Sequence, residues 1–387
     1  MTSQRINQIQ EPMIPVIGQL IHDNPGTINF GQGTVYYPPP AEVIDSVTNF
    51  FNDPHNHRYT PVDGIQQLKQ AISKKLEEEN HIETTDAWSL FVTAGSNMGF
   101  LQTILAITDP GDEIIQLSPY YFNHEMAIRM ANAVPVFVET DVNYHPVLER
   151  IAQAISSKTK AVVTISPNNP TGAVYPQETL QAINKLCREH GIYHITDEAY
   201  EYFIYDETTK HYSPASEQDA IDHTISLFSL SKTYGMASWR IGYMLVPQHL
   251  DNAIRKIQDT NLICAPAISQ MAAMSALSQG KTFCTPHIQA IGNIRDHIYT
   301  QLSQHPQLIS VSKPQGAFYY LLELDSPLSS LQIARSLIEE YKVALIPGET
   351  FGMKKQCCLR LAYGALPKKE ISEGLRRLAD GLKQFTV

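Results

Sequence analysis

Between about residues 88 and 246 the chain repeats one pattern: a short apolar run, an amphipathic stretch, then another apolar run. The runs are WSLFVTA (88–94), DEIIQLS (112–118), VPVFVE (134–139), KAVVTIS (160–166), IYHIT (192–196), TISLFSL (224–230) and IGYMLV (241–246). Several show little polar–apolar alternation, as strands covered on both faces do. Segments between them, such as PQETLQAINKLCREH (176–190), carry helical periodicity. This alternation predicts an α/β fold built on a mostly parallel seven-stranded sheet between helices.

At 387 residues the chain exceeds what one hydrophobic core usually serves, so two domains are expected. A Pro- and Gly-rich arm comes first, then helical patterns near 41–51 and 64–80. Beyond the sheet region, long helical patterns occupy 247–304, and residues 305–387 read as strand, strand, helix, short strands, helix. The expected division is an N-terminal arm (1–40) packing with a small α+β domain (282–387), and a large domain over 41–281.

Lys and Arg number 29 against 39 Asp and Glu, a formal charge of −10. No basic block stands out, so nucleic acid is not an expected partner, and any anion must be held by a local site. Five cysteines (187, 264, 284, 357 and 358) form no CxxC pair, which suits free thiols in a reducing compartment. The first residues lack a signal-peptide pattern, and no apolar run approaches the roughly 18 residues of a membrane span. A cytoplasmic protein without membrane partners is expected.

In a sheet of this kind, ligands bind at the carboxyl ends of the strands. Four such junctions carry reactive or anion-binding residue types. T-A-G-S-N-M-G (93–99) offers small residues and a helix start whose free N–H groups favour an anion; an ordinary strand-to-helix turn has the same look. S-P-N-N-P-T-G (166–172) makes a rigid turn directly after a buried strand, though its composition also suits a plain loop. T-D-E-A-Y (196–200) puts Asp197 at the end of an apolar strand, where a carboxylate calls for a cationic partner; a helix-capping Asp with a surface Tyr200 is the plain alternative. S-L-S-K-T-Y-G-M-A-S-W-R-I-G (229–242) places Lys232 just past a strand end, among hydroxyls and eight residues before Arg240. A desolvated lysine near another cation has a lowered pKa suited to Schiff-base chemistry, and Ser229, Ser231 and Arg240 suit a phosphate.

Together these junctions resemble the pyridoxal phosphate (PLP)-dependent class I/II aminotransferases of fold type I, over nearly the whole chain. The intervals agree with that family: Asn169 to Asp197 is 28 residues, Asp197 to Lys232 is 35, and Lys232 to Arg240 is 8. The resemblance implies that Lys232 forms the Schiff base to PLP and shuttles the substrate proton. It implies that Asp197 keeps the pyridine nitrogen protonated, and that Asn169 and Tyr200 donate to the phenolate oxygen. Ser229, Ser231, Arg240 and the turn Gly95-Ser96-Asn97 resemble the phosphate cup, and Tyr121 the aromatic stacked on the ring. Arg360, in C-L-R-L-A-Y, resembles the arginine that grips the substrate carboxylate. Tyr59, in Y-T-P-V-D-G, resembles the tyrosine that reaches the phosphate of a neighbouring subunit, which implies a homodimer with shared active sites. Gly31 and Gly33, in N-F-G-Q-G, resemble the loop that meets that carboxylate, with Gly33 favoured for the contact. The family's turns also imply cis bonds before Pro119 and Pro170.

The implied activity is ping-pong transfer of an amino group between an L-amino acid and a 2-oxo acid. A C–S β-lyase uses the same residues and is the alternative. A PLP-fold transcriptional regulator fits poorly, because the roughly 30 residues before the Gly loop are not basic and do not accommodate a helix-turn-helix module. Asn97 stands where members specific for acidic substrates often carry a basic residue. Tyr36 and Tyr37 are expected to line the side-chain pocket. The G-Q-G-x-x-x-x-P-P-P and D-E-A-Y-E-Y-F-I-Y-D patterns resemble glutamine/kynurenine-type transaminases, which take aromatic, methionine-like or glutamine side chains.

Overall fold

The computed structural model describes residues 2–206 and 208–385. The arm contributes one short strand, β1 (Ile28–Asn29). Each of the seven apolar runs then forms a strand: β2 (Trp88–Thr93), β3 (Glu113–Ser118), β4 (Val134–Glu139), β5 (Thr159–Ile165), β6 (Tyr193–Asp197), β7 (Thr224–Ser229) and β8 (Gly242–Pro247). Their order is β2-β8-β7-β6-β5-β3-β4, and β8 alone runs antiparallel to its neighbours. Gly242, the first residue of β8, pairs with both Thr93 and Ser229. The start of β8 therefore lies on the edge where β2 and β7 end, which brings Arg240 beside the loops after those strands. Gly242 is needed there: a Cβ would sit 2.6 Å from the Phe228 carbonyl oxygen and 3.0 Å from the Ser96 nitrogen.

Apolar side chains cover both faces of the sheet. Phe91, Ile114, Ile195 and Ile225 pack on one side with the helices Ser96–Ile107 and Phe122–Met130. Ile115, Val162 and Leu117 pack on the other with Leu180, Ile183 and Cys187 of the helix Gln177–His190. This double burial is why several of these strands show little polar–apolar alternation.

The helix Ala267–Leu302 leaves the large sheet and breaks at Gly280 (φ 55°, ψ −156°) before continuing with Pro286. Beyond it come β9 (Tyr319–Leu324), the capped helix Ser330–Tyr341, β10 (Val343–Ala344), β11 (Ile346–Pro347), β12 (Cys357–Ala362) and the helix Lys368–Phe385. β12 pairs antiparallel with β9 and β11, while β1 of the arm pairs in parallel with β10. Ile17 and Phe30 of the arm are buried in the same apolar cluster as Phe318, Leu337 and Leu378.

The first strand expected after residue 305 is reduced to a single bridge between Ser310 and Glu323. The apolar pair Leu308-Ile309 is followed by polar residues and Pro314, which donates no ladder hydrogen bond. The Pro- and Gly-rich arm contains a helix at Met13–Asp23. Pro12 is its N-cap and Pro15 lies in its first turn, where N–H groups have no helical acceptor. No helix among the described residues is long and apolar enough to cross a membrane.

Candidate active site

A cavity of about 390 Å³ opens at the carboxyl edge of the sheet, closed on one side by the arm and by β9 and β12. Ser96, Asn97, Tyr121, Asn169, Asp197, Tyr200, Ser229, Ser231, Lys232, Arg240, Gly33 and Arg360 all line it. Residues more than 300 positions apart in sequence thus face one space.

One pole is built for an anion. The helix Ser96–Ile107 begins there with its free N–H groups, and Gly95 precedes it at φ 80°. A Cβ on Gly95 would lie 2.3 Å from the Arg240 guanidinium, so only glycine allows the two to meet. Arg240 Nη1 is 3.4 Å from Ser231 Oγ, and Nη2 is 3.4 Å from the Ala94 carbonyl. Ser229 caps the short helix Leu230–Thr233 that carries Lys232.

Lys232 presents its amine to the cavity and donates to the Gly33 carbonyl. Burial, then the nearby Arg360 and Arg240 cations, lower its pKa to about 8; Asp197 opposes the shift. Asp197 is the last residue of β6 and is buried; its Oδ1 accepts from the Ala199 N–H at 3.1 Å. His124 Nε2 lies 3.1 Å from Asp197 Oδ2 but out of line for a hydrogen bond, and neither ring nitrogen of this buried histidine has a hydrogen-bond partner among the described residues. The His124 ring is stacked on Phe100 at 3.8 Å.

The other pole is Arg360, 2% exposed, on β12. Its Nη1 donates to Asn169 Oδ1 at 3.0 Å and its Nη2 to the Gly31 carbonyl at 2.8 Å. The guanidinium lies over the Tyr319 ring (4.7 Å) and the Phe351 ring (4.9 Å), and Nε has no hydrogen-bond partner among the described residues. Asn169 Nδ2 is 3.5 Å from the Tyr200 hydroxyl, which is 2.6 Å from that of Tyr319. Burial, reinforced by Tyr319, pushes the Tyr200 pKa well up, so this phenol stays protonated. The Tyr121 hydroxyl accepts from Asn123 Nδ2 at 2.9 Å.

The Ser118–Pro119 and Asn169–Pro170 bonds are cis, as expected, and so is Ser166–Pro167, which was not. One expectation needs correction. Tyr36 and Tyr37 do not line the cavity: Tyr36 is 46% exposed with its hydroxyl 3.1 Å from His287 Nδ1, and Tyr37 is buried with its hydroxyl on the Lys232 and Thr233 carbonyls. A buried phenol needs an acceptor, and the end of the lysine's helix supplies two. Tyr59 is 82% exposed and absent from this chain's own cavity. Tyr319, Ile14, Phe122 and His124 are among the cavity or near-cavity residues that the sequence did not single out. None sits in a recognisable motif; Tyr319 reads as one more apolar residue of a buried strand.

The donor set fits PLP. The glycine-lined anion pole suits its phosphate, a buried carboxylate suits its pyridinium nitrogen, protonated Tyr200 and Asn169 suit its phenolate oxygen, and a half-buried amine of lowered pKa suits its aldehyde. Fold and donor set together define the class: a fold type I, PLP-dependent enzyme. The chain belongs to the class I and II aminotransferase family, whose sequence profile matches residues 25–378. It is 32% identical to an aromatic aminotransferase of Arabidopsis thaliana over 100% of this chain and 97% of that protein. It is 34% identical to a probable aspartate/prephenate aminotransferase of Aquifex aeolicus, over 92% of this chain and 91% of that one. The aspartate aminotransferase of Thermus thermophilus with maleate superposes with a TM-score of 0.90 at 29% identity, covering 98% of this chain and 99% of that one. The protein is a PLP-dependent aminotransferase acting on amino acids and 2-oxo acids; the C–S β-lyase alternative finds no support among these relatives.

Proposed function

We propose that Lys232 is the amine that carries the cofactor and moves the substrate proton, with Asp197 and Tyr200 tuning the ring and Arg360 binding the substrate carboxylate. The observation that carries this reading is the position of the Lys232 amine. It faces a cavity with an anion pole at Arg240, a buried carboxylate at Asp197 and a buried guanidinium at Arg360. PLP, when bound, supplies the electron sink that accepts the pair of the substrate Cα–H bond. Lys232, as a free base, takes that proton and returns it to the other carbon. Arg360 orients the substrate through its carboxylate, and its unpartnered Nε leaves donor capacity for that purpose. Asn169 holds Arg360 and Tyr200 together, linking the substrate pole to the cofactor pole. Gly95, Ser96, Asn97, Ser229, Ser231 and Arg240 hold the phosphate, Tyr121 packs on the ring, and Gly33 bounds the carboxylate site.

Arg360→Leu is expected to lower kcat/KM for amino acids on the order of 10²–10³-fold. An amine substrate without a carboxylate should react equally with both proteins, and steady-state rates on the two substrates check this. Equal losses on both would remove Arg360 from the carboxylate role.

The substrate class we infer is amino acids with uncharged side chains: aromatic, methionine-like or glutamine, as in glutamine/kynurenine-type transaminases. The relatives' names span aspartate, prephenate and aromatic substrates, so the cavity's own lining carries the choice. Its cations are Lys232, Arg240 and Arg360, each with a role, and the remaining wall includes Ile14, Thr34 and Phe122. A side-chain carboxylate would be desolvated there without a partner. Mixing the PLP-loaded protein with single amino acids should convert the cofactor's visible band more than about 10-fold faster with phenylalanine, methionine or glutamine than with aspartate. The reverse order would overturn this class.

The same reading places the protein in the cytoplasm, a location supported by five unpaired thiols. It divides the chain into an arm (1–40), a large PLP-binding domain (41–281) and a small domain (282–387), supported by the break at Gly280. It pairs two copies as a homodimer in which the exposed Tyr59 of each completes the other's phosphate site.

A further inference from the structure

Lys232 lies in a helix of only four residues, Leu230–Thr233. So short a helix cannot hold its own geometry, because nucleation is unfavourable until several turns form. Its start is tied by the Ser229 cap and by the Leu230 N–H to the Ile241 carbonyl at 3.4 Å. Its end is tied by the arm. The Tyr37 hydroxyl lies 3.0 Å from the Lys232 carbonyl oxygen and 3.1 Å from that of Thr233. Just beyond, a Cβ on Gly235 (φ 64°) would sit 2.5 Å from the Tyr37 carbonyl oxygen, so the two backbones touch. The Tyr37 ring is itself clamped: it stacks on His287 at 4.1 Å and 15°, and meets Phe283 edge-on at 6.0 Å. Four residues earlier in the arm, the Gly33 carbonyl accepts the Lys232 amine. One stretch of arm therefore grips both ends of the lysine.

We propose that Tyr37 is a positioning residue for Lys232, its clamped hydroxyl holding the lysine's backbone so that the side-chain nitrogen stays at its working place between Arg240 and Arg360. This rests on the reading of Lys232 as the cofactor-bearing amine. Burial raises the pKa of the Tyr37 hydroxyl, so it remains a donor throughout the working pH range. The held nitrogen feels the two guanidinium cations, with the Asp197 carboxylate opposing them. A nitrogen released from that place moves away from both cations and binds its proton more tightly.

Tyr37→Phe keeps the ring and its stack and removes only the hydroxyl. In the PLP-loaded protein, the pH midpoint of the cofactor's visible band should move upward by at least about half a unit. Turnover should fall about 10-fold with KM changed less than about 2-fold. Tyr36→Phe removes the neighbouring, exposed hydroxyl and should leave the midpoint in place. A midpoint unmoved in Tyr37→Phe, or moved equally in Tyr36→Phe, overturns the proposal whatever turnover does. If Tyr37→Phe does not fold, His287→Leu loosens the clamp with the hydroxyl retained; it should shift the midpoint in the same direction, and an unmoved midpoint there overturns the proposal equally. Borohydride reduction of the wild-type protein followed by peptide mass analysis separates the two failures. Cofactor mass on a different lysine sinks the Lys232 reading, whereas mass on Lys232 with an unmoved midpoint sinks only the role of Tyr37.

Discussion

Lys232→Ala is expected to lower the rate of amino transfer on the order of 10⁴-fold, the upper range for removing a positioned acid–base group. The measurement is a single-turnover experiment following the cofactor's visible band after mixing with excess amino acid. The variant should still bind PLP, because the anion pole is built from other residues: Ser96, Ser229, Ser231 and Arg240. It should lack the band that reports attachment to the protein. Conversion at near wild-type rate would remove Lys232 from the chemistry. The surroundings say why no other cation substitutes: the other cationic groups lining the cavity, Arg240 and Arg360, are guanidiniums, which offer only donors and no acceptor for a proton. The lowered lysine pKa adds a pH dependence. A proton acceptor must be the free base, so the proton-transfer step gains as pH rises through about 8 and is lost below it.

Asp197→Ala is expected to leave PLP bound yet cost several kcal/mol in the barrier, a fall in kcat on the order of 10³-fold or more. The carboxylate ends β6 in a buried position, and in the role proposed for it a negative charge there favours a proton on the ring nitrogen and so an electron-accepting ring. Cofactor retained after gel filtration, together with kcat, separates loss of chemistry from loss of binding. Activity within a few-fold of wild type would mean that the ring nitrogen takes its proton from elsewhere.

The parts that read cleanly from the sequence are those in which cause and effect lie close along the chain. β5, β6 and β7 show little polar–apolar alternation because both of their faces are covered, and Asp197 ends β6 while Asn169 and Lys232 follow β5 and β7 within a few residues. A strand end and the residue after it occupy one place in any fold of this type. Arg360 and Gly33 were legible only through resemblance, since nothing local marks an arginine on a buried strand as ligand-binding. Tyr319 was not legible at all: its role depends on the antiparallel pairing of β9 with β12, which sets its ring under Arg360.

Tyr36 and Tyr37 mark the boundary most clearly. The resemblance places two tyrosines after the glycine loop and implies a pocket wall. Packing turns one outward to His287 and buries the other against the backbone of Lys232, because the buried hydroxyl finds its acceptors in carbonyls nearly 200 residues away. The alternation of runs determined the sheet, and the four junction motifs, through their resemblance to a known family, implied the cofactor and the class of reaction. Tertiary structure alone decided how the arm, β9 and β12 close over that edge, since their contacts depend on three-dimensional packing that no local pattern encodes.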